Sequence, residues 1–194
     1  MFGSNLPKNK MAEFKTYYPK LLIYEGGYAS KEYAQRMSDS GGETYLGIAR
    51  NYNQSWEGWA LIDAWIKIHG TPDYNAKINS PEIYAAAERL TKIKYWDKLF
   101  LDQIKNQSLA EQICDFGFNS GLGLSAKIVQ RIIGHAETSV FTADDVTTIN
   151  VFDQQKLFLL LQSFRVDMIK NSTKINIKFK DGLKKRANSF IFKA

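Results

Sequence analysis

The chain alternates short apolar stripes with polar breaks, and most stripes repeat every three or four residues. Over 12–25, Phe14, Tyr17, Tyr18, Leu21, Leu22 and Glu25 fall on one helical face. Pro19 lies inside that stretch and is expected to kink the helix or to start a second segment of it. From 26 to 54 the period is lost. Gly26, Gly27, Gly41, Gly42 and Gly47 supply turns there, and Thr44-Tyr45-Leu46-Gly47-Ile48 reads as a short strand. Helical spacing returns with Trp56, Trp59, Ile62 and Ile66 and ends near Gly70-Thr71-Pro72. Ser80-Pro81-Glu82 reads as a helix start, continued by Ile83, Ala86, Ala87, Leu90 and Ile93. Ser108 and Glu111 match a capping box for the next helix. Ala126, Val129, Ile132 and Ile133 form a further stripe, closed by Gly134. Leu157, Leu160, Leu161, Phe164 and Met168 define a long helix near 151–170, and an amphipathic piece runs from about Phe179 to Phe192. The pattern predicts a mainly α fold, a helical bundle with one small β element near residues 39–50.

Composition narrows the class. With 194 residues, 44% hydrophobic and 24% charged, the chain suits one domain or two small ones in close packing, and disorder is not expected. Cys114 is the only cysteine, so no intrachain disulfide can form. No stretch reads as a transmembrane helix, and Met1 to Lys10 lacks the apolar segment of a secretory signal. The formal net charge is +6, with Lys174, Lys178, Lys180, Lys184, Lys185 and Arg186 close together late in the chain. Nucleic acid, an anionic membrane and a bacterial wall all suit such a balance, as does plain solubility. The late basic stretch carries no helix-turn-helix signature and no aromatic platform, which disfavours a nucleic-acid role.

The candidate chemistry centres on Glu25-Gly26-Gly27-Tyr28 and on Ser38-Asp39-Ser40-Gly41-Gly42-Glu43-Thr44-Tyr45-Leu46-Gly47-Ile48. Glu25 shares its helical face with Tyr18, Leu21 and Leu22. Partial burial disfavours a charged carboxylate, and a carboxyl that keeps its proton near neutral pH can act as a general acid. From periodicity alone, the surface end of an amphipathic helix is the commoner reading of Glu25. Asp39 reads as a turn residue before Gly41-Gly42, and Thr44 as a strand residue. Competing motifs fall away. Gly121-Leu122-Gly123-Leu124-Ser125-Ala126 has the G-x-G-x-x-A form but no preceding strand. His69 and His135 are far apart and lack the pairing of a zinc hydrolase, and no G-x-S-x-G elbow occurs. Neither a metal nor a cofactor is implied.

The sequence Glu-Gly-Gly-Tyr, followed by Asp-x-Gly-Gly-x-Thr-x-x-Gly-Ile, resembles glycoside hydrolase family 108, the peptidoglycan N-acetylmuramidases that include many phage endolysins. Tyr95-Trp96 and Asp115-Phe116-Gly117-Phe118-Asn119-Ser120-Gly121 are similar to that family's junction with a helical module regarded as peptidoglycan-binding. Ala126, Gln130 and Gly134 fit the module's pattern, with Val129 in place of a Leu. The stretch Phe179 to Arg186 resembles its Gly-Trp-x-x-Arg ending, with Leu183 in place of the Trp. One segment departs from the module, since 141–148 lacks the glycines of its Asp-Gly-x-x-Gly-x-x-Thr run.

The resemblance implies a lysozyme-like α+β fold, with a catalytic region over 1–105 and a wall-binding helical region over 106–194. It makes Glu25 the general acid, Asp39 an electrostatic partner or general base, and Thr44 a residue that orients the attacking water. Tyr28 and Tyr45 are candidates to pack on sugar faces and Asn119 to bond an N-acetyl group, although each also reads as a core or capping residue. The implied reaction is hydrolysis of the β-1,4 bond between N-acetylmuramic acid and N-acetylglucosamine. Carboxyl groups about 6.5–9.5 Å apart would mean inversion and about 5–5.5 Å retention. The implied partner is the glycan strand of peptidoglycan, with no nucleic acid and no stable membrane insertion. Synthesis in the cytoplasm without a signal peptide would require a holin or a secretion system for delivery to the wall. A wall-binding protein that kept the fold without the chemistry is the competing reading.

Overall fold

The computed structural model describes residues 11–194; the polar stretch 1–10, expected to lack a secretory signal, lies outside the described residues. The described residues form a mainly α structure with one two-stranded sheet, the fold class expected from the pattern. The chain divides into two compact units, Tyr18–Ile93 and a second built from the described residues up to Tyr17 together with Lys94–Ala194. None of the described helices is long and apolar enough to cross a membrane.

Helix α1 (Phe14–Tyr24) runs through Pro19 without interruption and contributes to both units. The unit Tyr18–Ile93 adds α2 (Lys31–Arg36), β1 (Thr44–Tyr45), β2 (Ile48–Ala49), α3 (Gly58–His69) and α4 (Pro81–Thr91). Its core joins Tyr28, Tyr45 and Ile48 to Trp56, Trp59 and Ile62 of α3 and its approach, and to Ile83, Ala86 and Ala87 of α4. The helix start at Ser80 is as expected: its side chain accepts from Ile83 N and Pro81 occupies the first turn. The single strand expected at 44–48 is instead a hairpin. Leu46 and Gly47 both have positive φ (50° and 76°), the geometry of a type I′ turn, and the register pairs Thr44 with Ala49 and Tyr45 with Ile48. Helix α2 was not visible in the pattern, because it is six residues long and buries only Ala34.

The second unit carries α5 (Gln107–Ser120), α6 (Leu122–Ile133), α7 (Ala143–Val151), α8 (Gln154–Asn171) and α9 (Ile177–Asn188). Helix α5 is buried continuously from Ser108 to Gly117, as a central helix must be, and α6 and α8 pack against it. Its N-cap is Asn106, which accepts from Leu109 N, so the capping box expected at Ser108 and Glu111 does not form. Ser108 instead lies inside the helix and accepts from Lys193 N. Gly134 caps α6 with φ 82°, as the stripe predicted. The glycine-poor segment 141–148 builds a helix start, with a true capping box between Thr142 and Asp145. Burial works to raise the Asp145 carboxyl, but bonds from Gln130, His135 and Thr142 overcome it and hold that group below the ordinary range. On α8 the buried face runs Leu157, Leu161, Arg165 and Ile169, while Leu160 is largely exposed.

Arg165 takes a core position because Asp115 does. Asp115 is fully buried on α5 and receives Arg165 Nη2 at 2.6 Å, Arg186 Nη2 at 2.8 Å and the Tyr17 hydroxyl at 3.2 Å. The Arg165 guanidinium also stands 5.5 Å from the Phe116 ring. One carboxylate thus ties α1, α5, α8 and α9 together. Removing one member of a buried ion cluster leaves the others charged and unsolvated. Asp115→Ala is therefore expected to lower the unfolding free energy by about 3–5 kcal/mol, read as a drop in the urea midpoint.

Candidate active site

Glu25 closes the last turn of α1, its N–H donating to Leu21 O at 3.2 Å. Tyr18 and Leu21 on the same face are buried, and Glu25 itself is half-buried, as its position on that face predicts. Burial raises the Tyr18 phenol, and the nearby charges of Glu88, Tyr84 and Glu25 add to the rise. Glu25 and Glu88 therefore both act on the same buried hydroxyl.

Past Glu25 the chain runs between two neighbouring segments. On one side Ala29 pairs with Thr44, exchanging two backbone hydrogen bonds of 2.9 Å. On the other, Tyr28 N donates to Ala76 O at 2.9 Å, Asn75 N donates to Tyr28 O at 2.7 Å, and Gly27 N donates to Asn75 Oδ1 at 2.8 Å. The second approach is so close that a Cβ on Gly27 would lie 2.3 Å from the carbonyl oxygens of both Asn75 and Ala76. That explains the second glycine of the Glu-Gly-Gly run: only a residue with no side chain lets the two backbones meet. The same loop sends Lys77 Nζ to Glu25 O at 2.8 Å. Partial burial draws the Lys77 ammonium below its usual pKa, while the Glu25 charge works to raise it.

The second half of the motif forms a polar pocket of about 200 Å³, lined by Lys31, Gln35, Asp39, Gly42, Glu43, Arg50 and Asn51. Glu25 is not among its lining residues. Asp39 is exposed, and its Oδ1 accepts from Gly41 N at 2.8 Å in the turn that its type favours. Oδ2 of Asp39 has no hydrogen bond within the described residues. Thr44 Oγ1 donates to Gly42 O at 3.0 Å. Glu43 accepts from the Tyr28 hydroxyl at 2.6 Å and faces Arg50 Nε at 2.6 Å. Arg50 also pairs with Asp63 on α3 and lies 4.5 Å from the Trp59 ring. Its bond to Asp63 raises the Arg50 pKa against the opposing effect of burial, with Glu43 adding to the rise. Burial raises the Tyr28 phenol, and the bond to Glu43 adds to it. Glu43 is thus a strut that links the Glu-Gly-Gly-Tyr segment, the hairpin and α3.

The backbone bridge brings Thr44 to within four residues of Glu25 along the neighbouring segment, and Tyr28 lies between them. Tyr28 is 4% exposed and engaged through its hydroxyl. Tyr45 is fully buried, and its hydroxyl accepts from Ile78 N and donates to Ile78 O, which leaves no ring face for a ligand. Asn119 belongs to the other unit, on α5, where Nδ2 donates to Asp115 O at 2.7 Å. Glu43, Lys77 and Glu88 were missed by sequence reasoning. Glu43 occupies a variable position of the motif, and Lys77 and Glu88 act through contacts with no local signature. Among the described residues no group of three or more His, Cys, Asp or Glu side chains converges as a metal site would.

Comparison with known proteins adds three findings. The family described as Glycosyl hydrolase 108 matches residues 18–121. Among solved structures, one titled "Structure of Brucella abortus SagA" is similar, with a TM-score of 0.62 at 19% sequence identity, covering 91% of this chain and 94% of that one. No curated protein matches the sequence. The structural likeness supports a mainly α, lysozyme-like fold with its small β element in the first half. The family match includes the whole Glu-Gly-Gly-Tyr segment and its hairpin. Because a side chain at position 27 has nowhere to go, Gly27→Ala is expected to cost about 1–3 kcal/mol of stability and to displace the loop that bears Lys77. Thermal unfolding, with backbone NMR shifts at residues 75–77, measures both effects.

Proposed function

The chain belongs to the glycosyl hydrolase 108 family, and from that premise we propose that it cleaves the β-1,4 bond between N-acetylmuramic acid and N-acetylglucosamine in peptidoglycan, with Glu25 as general acid. Family membership carries the coarser statement, a glycoside hydrolase of the peptidoglycan-degrading kind. The observation that supports the finer one is the placement of Glu25. It is a half-buried carboxyl at the end of α1, directly before a backbone segment held on both sides by hydrogen bonds. A rigid mount of this kind keeps an acid within reach of a bridging oxygen through the reaction.

In this reading Glu25 gives its proton to the glycosidic oxygen as the bond to the anomeric carbon breaks. A water attacks that carbon and loses its own proton to a base. Asp39 is the candidate base, because the residue is exposed and its bond from Gly41 N engages Oδ1 alone among the described residues. Thr44 is the candidate to orient the water. Glu43 is less suited to the role, since both its oxygens are engaged by Tyr28 and Arg50. The functional division expected from the sequence, catalysis over 1–105 and wall binding over 106–194, belongs to the same proposal. So does delivery to the wall through a holin or a secretion system. The +6 net charge favours docking on an anionic wall, an attraction that salt screens.

Turbidity loss of purified cell walls measures the activity, and mass spectrometry of the released fragments identifies the bond. New reducing ends on N-acetylmuramic acid are expected, with Glu25→Gln slower by about 10²–10⁴-fold. Reducing ends on N-acetylglucosamine, or lysis undiminished in Glu25→Gln, would overturn the proposal.

A further inference from the structure

Tyr33 and Tyr74 form a stacked pair, with ring centres 4.1 Å apart and planes 21° from parallel. One face of Tyr74 lies against Tyr33, and the residue is 62% exposed, so its other face is open to solvent. Tyr33 is braced within α2. Its backbone N–H donates to the Ser30 side chain that caps the helix, and the Arg36 guanidinium stands 5.9 Å from its ring. The pair is therefore a preformed flat surface rather than a mobile side chain. The residues flanking Tyr74, Asp73 and Asn75, are exposed and polar. A single apolar ring in polar surroundings is too small for a protein interface, but its size matches one sugar ring.

Tyr74 springs from a loop fastened next to Glu25, and Tyr33 from α2, which follows the Glu-Gly-Gly-Tyr segment. Asn75, the residue after Tyr74, donates to Tyr28 O and accepts from Gly27 N. Lys77, on the same loop, reaches Glu25 O. With ~3.8 Å between successive Cα atoms, the Tyr74 backbone is only a residue or two from contact with the Glu-Gly-Gly-Tyr segment. From this placement we infer that the open face of Tyr74, braced by Tyr33, is a subsite for one N-acetylated sugar ring of the glycan strand, a few sugar units along from the bond that Glu25 attacks. The inference rests on the function proposed above. Its chemistry is a match of two amphipathic surfaces. A pyranose has an apolar C–H face and a rim of hydroxyls, and a tyrosine has an apolar face and a polar tip. Neither tyrosine touches the reacting atoms, so each is a binding residue and not a catalytic one.

The test uses the full chain with Glu25→Gln, which holds strands without cutting them, and peptide-stripped glycan strands as the probe. Adding Tyr74→Ala is expected to weaken binding about three- to tenfold, and Tyr74→Phe to restore it. Tyr33→Ala should weaken it as well, by removing the brace. With Glu25 intact, the Tyr74→Ala defect should fall on KM for strands and not on kcat. Circular dichroism confirms that each variant is folded, which the exposure of Tyr74 favours. Equal affinity and equal KM with and without Tyr74→Ala would overturn the subsite and leave the glycan hydrolase reading standing. An unmodified chain that neither binds nor cleaves the strands would overturn both.

Discussion

The candidate site depends on one steric constraint, the contact of two backbones at Gly27. Residues 27–29 behave as a short central strand without belonging to a regular sheet. They bond to Thr44 on one edge and to the Asn75-Ala76 loop on the other. An extended segment with both edges paired has little freedom to move. Glu25 is two residues upstream, so that rigidity extends to the backbone that bears its side chain, while Ser30 caps α2 immediately downstream. The constraint also fixes what stands nearby. Lys77 and Tyr74 reach the region only because their loop can close on a position that has no side chain. The Glu43 strut adds a side-chain link between the same segment and the hairpin, through the Tyr28 hydroxyl.

The second unit is organised by charge in a different way. Asp115 and the two arginines that face it are all buried, an arrangement that adds little net stability compared with a well-packed apolar core but is costly to break. What it supplies is register: α8 and α9 can present Arg165 and Arg186 to one carboxylate in few arrangements. The lone Asp145 carboxyl works similarly on a smaller scale, collecting Gln130, His135 and Thr142. In both clusters a buried acid is surrounded by donors, the condition under which such a group is tolerated in an interior.

What could be read from the sequence follows the range of the interactions involved. Helices α1, α3, α4, α6 and α8 were legible because each buries a periodic face, and Ser80 and Gly134 because caps are local chemistry. Ser108 misled because its spacing to Glu111 is right, yet Asn106 stands two residues earlier and reaches the first free N–H groups. The stripe groups Leu160 with Leu157 and Leu161, but Leu160 is exposed and the buried face takes in Arg165, whose partner Asp115 is 50 positions away. The Glu-Gly-Gly-Tyr segment was legible through resemblance to a family, and its physical reason emerged only from the partner loop. No pattern in one segment could show that Asn75 and Ala76 would meet Gly27, or that Tyr45, an aromatic in a suggestive motif, would have its hydroxyl bound to the Ile78 backbone. Tyr74 escaped notice for the same reason.

Lys77 stands beside Glu25 under two opposed influences. An ammonium near a carboxyl favours the charged form of both, whereas loss of water disfavours both charges. Lys77 directs its hydrogen bond to the backbone oxygen of Glu25 and not to the carboxyl, so the ammonium is held near the acid without occupying it in that bond. Partial burial lowers the Lys77 pKa, and the Glu25 charge works against that shift. The contact that fixes Lys77 beside Glu25 is thus one to the main chain, and it ties the loop that follows Asn75 and Ala76 to the end of α1 as the Gly27 contacts tie it to the segment beyond.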